Sequence, residues 1–187
     1  MKPYFQVFAL ILLGYLITVL FVHFCVAPIQ SFLFSANYFG GASLLFLPHG
    51  VRIMATWCFR FQAVIPLFWG EAIAWLIFGA TNINLIFLSA LVGSLSVLIV
   101  FEMFRLANVN LYYGGQIQFT WRLAIVVAFV SSCLNSVGHS FALSLSVPDY
   151  DIFLEISKFV IGDVLGTFVT FLFGMQIVRF VRLQKGF

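Results

Sequence analysis

The sequence predicts an all-α, polytopic membrane helix bundle of about six transmembrane helices, the second of them broken, with both termini cytoplasmic. Three observations carry that expectation. Of the 187 residues 63% are hydrophobic and 8% charged, with 25 phenylalanines and a mean hydropathy of +1.13, which leaves too little polar surface to cover a water-soluble globule. Apolar stretches of membrane-crossing length recur between short polar turns. The basic residues gather at one set of stretch ends.

Taken in order, Met1 to Ala27 holds one lysine and an apolar run longer than the ~30 Å bilayer core needs. It lacks the short apolar region and small-residue cleavage site of a signal peptide, so it is expected to stay as the first span. Pro28 is expected to end it, and Ile29 to Tyr38 to lie at the interface. Gly40 to Phe59 forms the second span, interrupted at Leu47-Pro48-His49-Gly50-Val51-Arg52. A hydrocarbon environment tolerates a proline, a glycine and a cation there only where the freed backbone groups and the charge face protein or a water-filled cavity. Arg60-Phe61-Gln62 reads as a tight turn, Ala63 to Phe78 as the third span, and Ala80 to Asn84 as another turn. Leu85 to Leu106 is the fourth span, with Ser89, Gly93, Ser94 and Ser96 suited to close helix contact. A polar connection, Ala107 to Phe119, leads into Thr120 to Leu145, which Ser146 to Asp151 closes. Phe153 to Val178 is the sixth span, and Arg179 to Phe187 a tail.

Lys2, Arg60, Arg105, Arg122, Arg179, Arg182 and Lys185 fall on one side of this arrangement, whereas the opposite loops hold Asp149 and Asp151. The positive-inside rule makes the basic side cytoplasmic. Lys158, near the outer end of span six, is expected to snorkel outward. Cys25, Cys58 and Cys133 have no metal-ligand spacing and are expected to be buried small hydrophobes. The chain reads as a single integral membrane domain, 1–187, with no window for a soluble catalytic or DNA-binding domain. The net charge of +3 does not point to nucleic acid, because the cations sit at helix ends and not on one face.

Counting inward from the span ends places His49, Glu71, Asn135 and Asp163 near the bilayer midplane. Arg52 lies about one turn to the cytoplasmic side of His49, and His139 about one turn to the outer side of Asn135. An unpaired arginine at that depth costs ~2.5 kcal/mol or more, so Arg52 is expected to pair with Glu71 or Asp163, and neutralising Asp163 to destabilise the bundle. Pro48, His49, Gly50, Arg52, Glu71, Asn135, His139 and Asp163 are thus the candidate site. Three readings stay open: helix-packing glue, a polar cavity that binds a ligand through the broken helix, and a proton relay through His49 and His139. Glu102 is expected to pair with Arg105, His23 to be an interfacial residue, the tryptophans and tyrosines to belong mostly to interfacial belts, and Trp69 to pack beside Glu71. No nucleophile elbow, Walker loop, metalloprotease helix, CxxC pair or bis-His heme spacing occurs. No catalysis is expected and no metal or cofactor is identified.

Leu45-Phe46-Leu47-Pro48-His49-Gly50-Val51-Arg52 resembles the Trp-Pro-Pro-x-Gly break of the membrane-associated sensor domain of the first MASE class, with Leu in place of the Trp and His in place of the second Pro. The run from Phe59 to Gly70 resembles that family's basic turn and next span. Phe159-Val160-Ile161-Gly162-Asp163-Val164-Leu165-Gly166 resembles its Gly-Asp-x-Leu-Gly signature, and Arg122 to Ser144 has a similar small-residue, polar-spotted character. The resemblance implies a sensor or ligand-binding bundle in a bacterial inner membrane. It has fewer spans than the family and a tail too short for an output module, so action through a membrane protein partner is expected. A small-molecule ligand is the alternative input. Two other classes fit the same composition: an accessory subunit of a respiratory or photosynthetic complex, and the substrate-capturing component of an energy-coupling-factor vitamin transporter.

Overall fold

The computed structural model describes residues 2–33, 43–144 and 152–184, with side chains over 4–33, 43–144 and 152–176. Phe34 to Tyr38, the start of span two, the Ser146 to Asp151 connection with Asp149, and Lys185 lie outside the described residues, as do the side chains of Lys2, Arg179 and Arg182. All regular structure described is helical.

The first span is longer than expected. Helix α1 (Lys2–Phe21) runs through a π-helical turn (Val22–Val26) into α2 (Ala27–Leu33). Pro28 therefore does not end the helix, and Ile29 to Leu33 are helical, not an interfacial connection. A proline has no N–H and crowds the carbonyl four residues back. That carbonyl belongs to Phe24, inside the widened turn, where Ala27 N–H already reaches back to Val22 O.

Helix α3 (Leu47–Phe59) begins where the break was expected. Pro48 occupies its first turn, a position at which a missing N–H has no helical partner to lose. The irregular backbone lies upstream, at residues 43–46, and His49, Gly50 and Arg52 sit in unbroken helix. The arrangement is a helix that starts inside the protein, with Leu47, Pro48, His49 and Gly50 buried. Arg60, at φ 54°, turns the chain through a short 3-10 segment (Arg60–Ala63) into α4 (Val64–Ile77). The side chains of Arg52 and Glu71 meet across 19 residues. An uninterrupted helix would hold them about 28 Å apart at 1.5 Å per residue, so α3 and α4 fold back on each other.

Gly79, at φ 87°, ends α4, and the Asn82 side chain caps α5 (Ile83–Leu106) by accepting from the N–H groups of Asn84 and Leu85. Helices α6 (Trp121–Ser144) and α7 (Ile152–Gln184) complete the bundle, α7 continuing as helix through Arg179 and Arg182. Among the described residues, five helical segments are long and apolar enough to cross a membrane: Tyr4–Leu33, Leu47–Ile77, Ile83–Leu106, Trp121–Ser144 and Ile152–Gln176. The second of these is the folded-back pair α3 and α4.

Lipid tails are as apolar as leucine, so close approach at small residues, not water exclusion, joins such helices. Gly162, Gly166 and Thr170 form a strip along α7 into which the start of α3 settles. A Cβ at Gly162 or Gly166 would run into the backbone of Ser43 or Phe46. Phe46 N–H donates to Gly162 O at 3.0 Å, and Thr170 Oγ1 donates to Leu47 O at 3.1 Å. Gly50 gives the same clearance opposite Thr170, which is its role here in place of a helix break.

One end of the bundle collects the cations. Arg60 lies 4.4 Å over the Tyr112 ring, and Arg105 pairs with Glu102 at 3.1 Å. Glu102 also accepts from the Tyr112 hydroxyl at 2.7 Å, and burial together with that carboxylate pushes the phenol above its ordinary value. Several side chains face other ways than expected. Cys25 and Cys58 are exposed, and Trp69 is 53% exposed and packs on Phe68, away from Glu71. Lys158 is buried and pairs at 2.7 Å with Glu155, one turn nearer the start of α7, the direction in which it was expected to snorkel.

Candidate functional site

Buried polar residues from α1, α3, α4, α6 and α7 converge in one layer. At its centre is Arg52 of α3, 1% exposed. Its Nη2 donates to Glu71 Oε2 of α4 in a close ion pair and to the Tyr15 hydroxyl of α1 at 2.9 Å. Its Nη1 donates to Asn135 Oδ1 of α6 at 3.3 Å. Tyr15 in turn donates its own proton to Glu71 Oε2, and the rings of Tyr15 and Phe46 lie about 5.6 Å and 5.5 Å from the guanidinium carbon. A guanidinium offers five N–H donors in a planar fork, and here they bind side chains from three other helices.

Two glycines make this approach feasible. A Cβ at Gly70 would meet the Tyr15 ring at 2.6 Å, so the bare backbone lets the ring lie against α4 and reach Glu71. On α5, a Cβ at Gly93 would come within 3.0 Å of the Glu71 carboxyl carbon and 3.1 Å of Arg52 Nη2. Helix α5 therefore gives the ion pair a wall of backbone and no ligand.

Asp163 of α7 stands apart from the guanidinium, so it is not Arg52's partner, and neutralising it would not leave Arg52 unpaired. Its Oδ2 accepts from Ser132 Oγ at 2.9 Å and from Asn135 Nδ2 at 3.1 Å. Asn135 is the bridge, taking a proton from Arg52 on one side and offering one to Asp163 on the other. His49 sits against the same oxygen, with Nδ1 at 3.4 Å but outside hydrogen-bond geometry, while its Nε2 lies 3.0 Å from Ser131 Oγ. His139 Nε2 lies 3.6 Å from Glu71 Oε1.

Of the eight residues chosen from the sequence, His49, Arg52, Glu71, Asn135, His139 and Asp163 meet here, whereas Pro48 and Gly50 shape α3 and bind nothing polar through side chains. Tyr15, Ser131 and Ser132 complete the layer and were not singled out. Tyr15 carried a usable signal, since it lies in mid-span, far from the interfaces where membrane tyrosines usually sit. Buried polar atoms without a protein partner flank the layer: Ser89 Oγ on α5, Ser136 Oγ, His139 Nδ1 and Ser140 Oγ on α6, and Thr167 Oγ1 on α7. Among the described residues no group of His, Cys, Asp and Glu side chains is arranged to hold a metal ion.

No protein-family model, curated protein or solved structure matches the chain. Its apolar helices mark a multi-pass membrane protein.

Proposed function

We propose that the chain is a sensor-like integral membrane protein, resembling the first MASE class, in which the buried polar layer is the responsive element and a partner membrane protein receives the response. The observation that carries this reading is the Arg52 guanidinium, fully enclosed and bonded to side chains of α1, α4 and α6. A change at one such atom alters contacts on several helices at once, which is how a local event acquires a bundle-wide consequence. In this reading α3 and α4 cross separately, giving six passes with both termini in the cytoplasm of a bacterial inner membrane. The cluster of Arg60, Arg105 and Arg122 at one end supports that orientation.

The accessory-subunit reading draws on an apolar groove of about 400 Å³ between α6 and α7, lined by Trp121, Ile125, Phe168, Phe171, Leu172 and Met175 among others. Apolar side chains of a neighbouring transmembrane helix would fit it.

The test is purification from native membranes in mild detergent, followed by mass spectrometry of the wild type and of Tyr15→Phe. The sensor reading expects one stoichiometric partner whose retention changes when the layer is altered. Retention unchanged by Tyr15→Phe, but lost with Phe168→Ala in the groove, would favour the subunit reading and overturn the sensor one.

A further inference from the structure

The polar layer is one positive charge short. Glu71 and Asp163 are both enclosed, and Arg52 is the sole permanent cation facing them among the described residues. The remaining titratable groups turned toward the layer are Tyr15 from α1, His49 from α3 and His139 from α6, and α5 brings none, presenting Gly93. Lys158 on α7 is committed to Glu155, farther toward the outer end. With both imidazoles neutral, the layer would hold an uncompensated negative charge at membrane depth, where no bulk water screens it.

Hydrogen-bond accounting locates the deficit. Ser131 has one proton, and its Oγ donates to Ala128 O at 3.3 Å. With that proton on Ala128 O, the Ser131 lone pairs face His49 Nε2 at 3.0 Å and Nε2 carries the imidazole hydrogen; with the Ser131 proton turned to Nε2, Nδ1 carries it instead. In the first case Nδ1 of a neutral imidazole is a bare lone pair 3.4 Å from the carboxylate oxygen of Asp163, and in the second it holds its hydrogen on that side. The first case leaves two lone pairs opposed and the second leaves the layer's negative charge uncompensated, and one further proton on the His49–Asp163 pair removes both defects. Glu71 has no such deficit, since Arg52 and Tyr15 both donate to it.

We propose that His49 and Asp163 together bind one proton, which balances the charge of the buried layer and makes the proton the ligand to which this bundle responds. This rests on the layer being the responsive element, but it concerns the chain alone and needs no partner. The proton is taken from water and shared as imidazolium and carboxylate or as neutral imidazole and carboxylic acid. Both forms carry the same net charge. Because the folded bundle binds this proton and an unfolded chain at neutral pH would not, stability falls as pH rises.

The experiment is performed on the purified full chain in nanodiscs. Nitrogen-15 NMR of the imidazoles and infrared spectra of the carboxyl stretch are recorded from about pH 6 to 9, alongside melting curves for the wild type and Asp163→Asn. The expected result at neutral pH is either an imidazolium signal that His49→Gln removes or a protonated-carboxyl band that Asp163→Asn removes. The wild-type melting temperature should fall with rising pH, and the Asp163→Asn slope should be smaller by the equivalent of one proton. A wild type showing neutral His49 beside ionised Asp163 at neutral pH would overturn the proposal, and that spectrum does not depend on any variant folding. An Asp163→Asn protein with the wild-type pH slope would overturn it equally. A confirmed proton in a chain that retains no partner would leave this proposal standing and sink the reading of action through a partner.

Discussion

Glu71 and Asp163 lie in the same buried layer, yet they are stabilised by different chemistry. Glu71 meets a permanent cation and a phenol, both donating to one oxygen, with Gly93 closing the space behind. Asp163 meets a hydroxyl, an amide and an imidazole, none of them permanently charged. The first arrangement is complete whatever the pH within the ordinary range, whereas the second depends on a proton. A fixed half and a titratable half sharing Asn135 as their link offer a physical basis for a switch: one side holds the helices in register while the other changes charge.

The comparison breaks first at Arg52. Replacing it with Met removes the cation while leaving Glu71 enclosed, and the loss should be about 3–5 kcal/mol, read as detergent melting or loss of folded protein. Gly93→Ala should cost about 1–3 kcal/mol in the same assay, because the added methyl presses on Glu71 and Arg52 from a backbone that has little room to retreat. Tyr15→Phe and Ser132→Ala each delete one hydroxyl, the first from the Glu71 half and the second from the Asp163 half. Each should cost on the order of 1 kcal/mol. Ser132→Ala alone should shift the pH at which melting changes, since only it touches the titratable half. At the small end, Trp69→Phe should alter melting by under about 0.5 kcal/mol, as the ring faces outward and touches no member of the layer.

The layer was legible in the sequence because polar residues in an otherwise apolar chain stand out, and counting turns inward from span ends puts Arg52, Glu71, Asn135 and Asp163 at similar depths. Which carboxylate Arg52 would choose was not legible. Depth fixes one coordinate and helix rotation the rest; α6 betrays its rotation through Ser131, Ser132, Asn135, Ser136, His139 and Ser140, which recur at helical spacing and are buried, but in α1 and α4 both faces are mostly apolar. The same ambiguity hid the outward turn of Cys25, Cys58 and Trp69. In the sequence Pro48 and Gly50 point to a break because both residues disrupt helix interiors. Pro48 is equally at home in a first turn, and Gly50 is explained by Thr170 on a helix more than a hundred residues away. Pro28 carried the opposite lesson, since a π turn absorbed it. The Pro48 and Asp163 stretches, more than a hundred residues apart in sequence, meet along α3 and α7.

The fixed half of the layer is tested most directly by a double-mutant cycle on Arg52→Met and Glu71→Leu, with melting free energies measured for both single variants and the pair. An ion pair isolated from water predicts that each single change is severe and that the double variant loses less than either, because no buried charge is then left alone. Losses that simply add in the double variant would contradict the account.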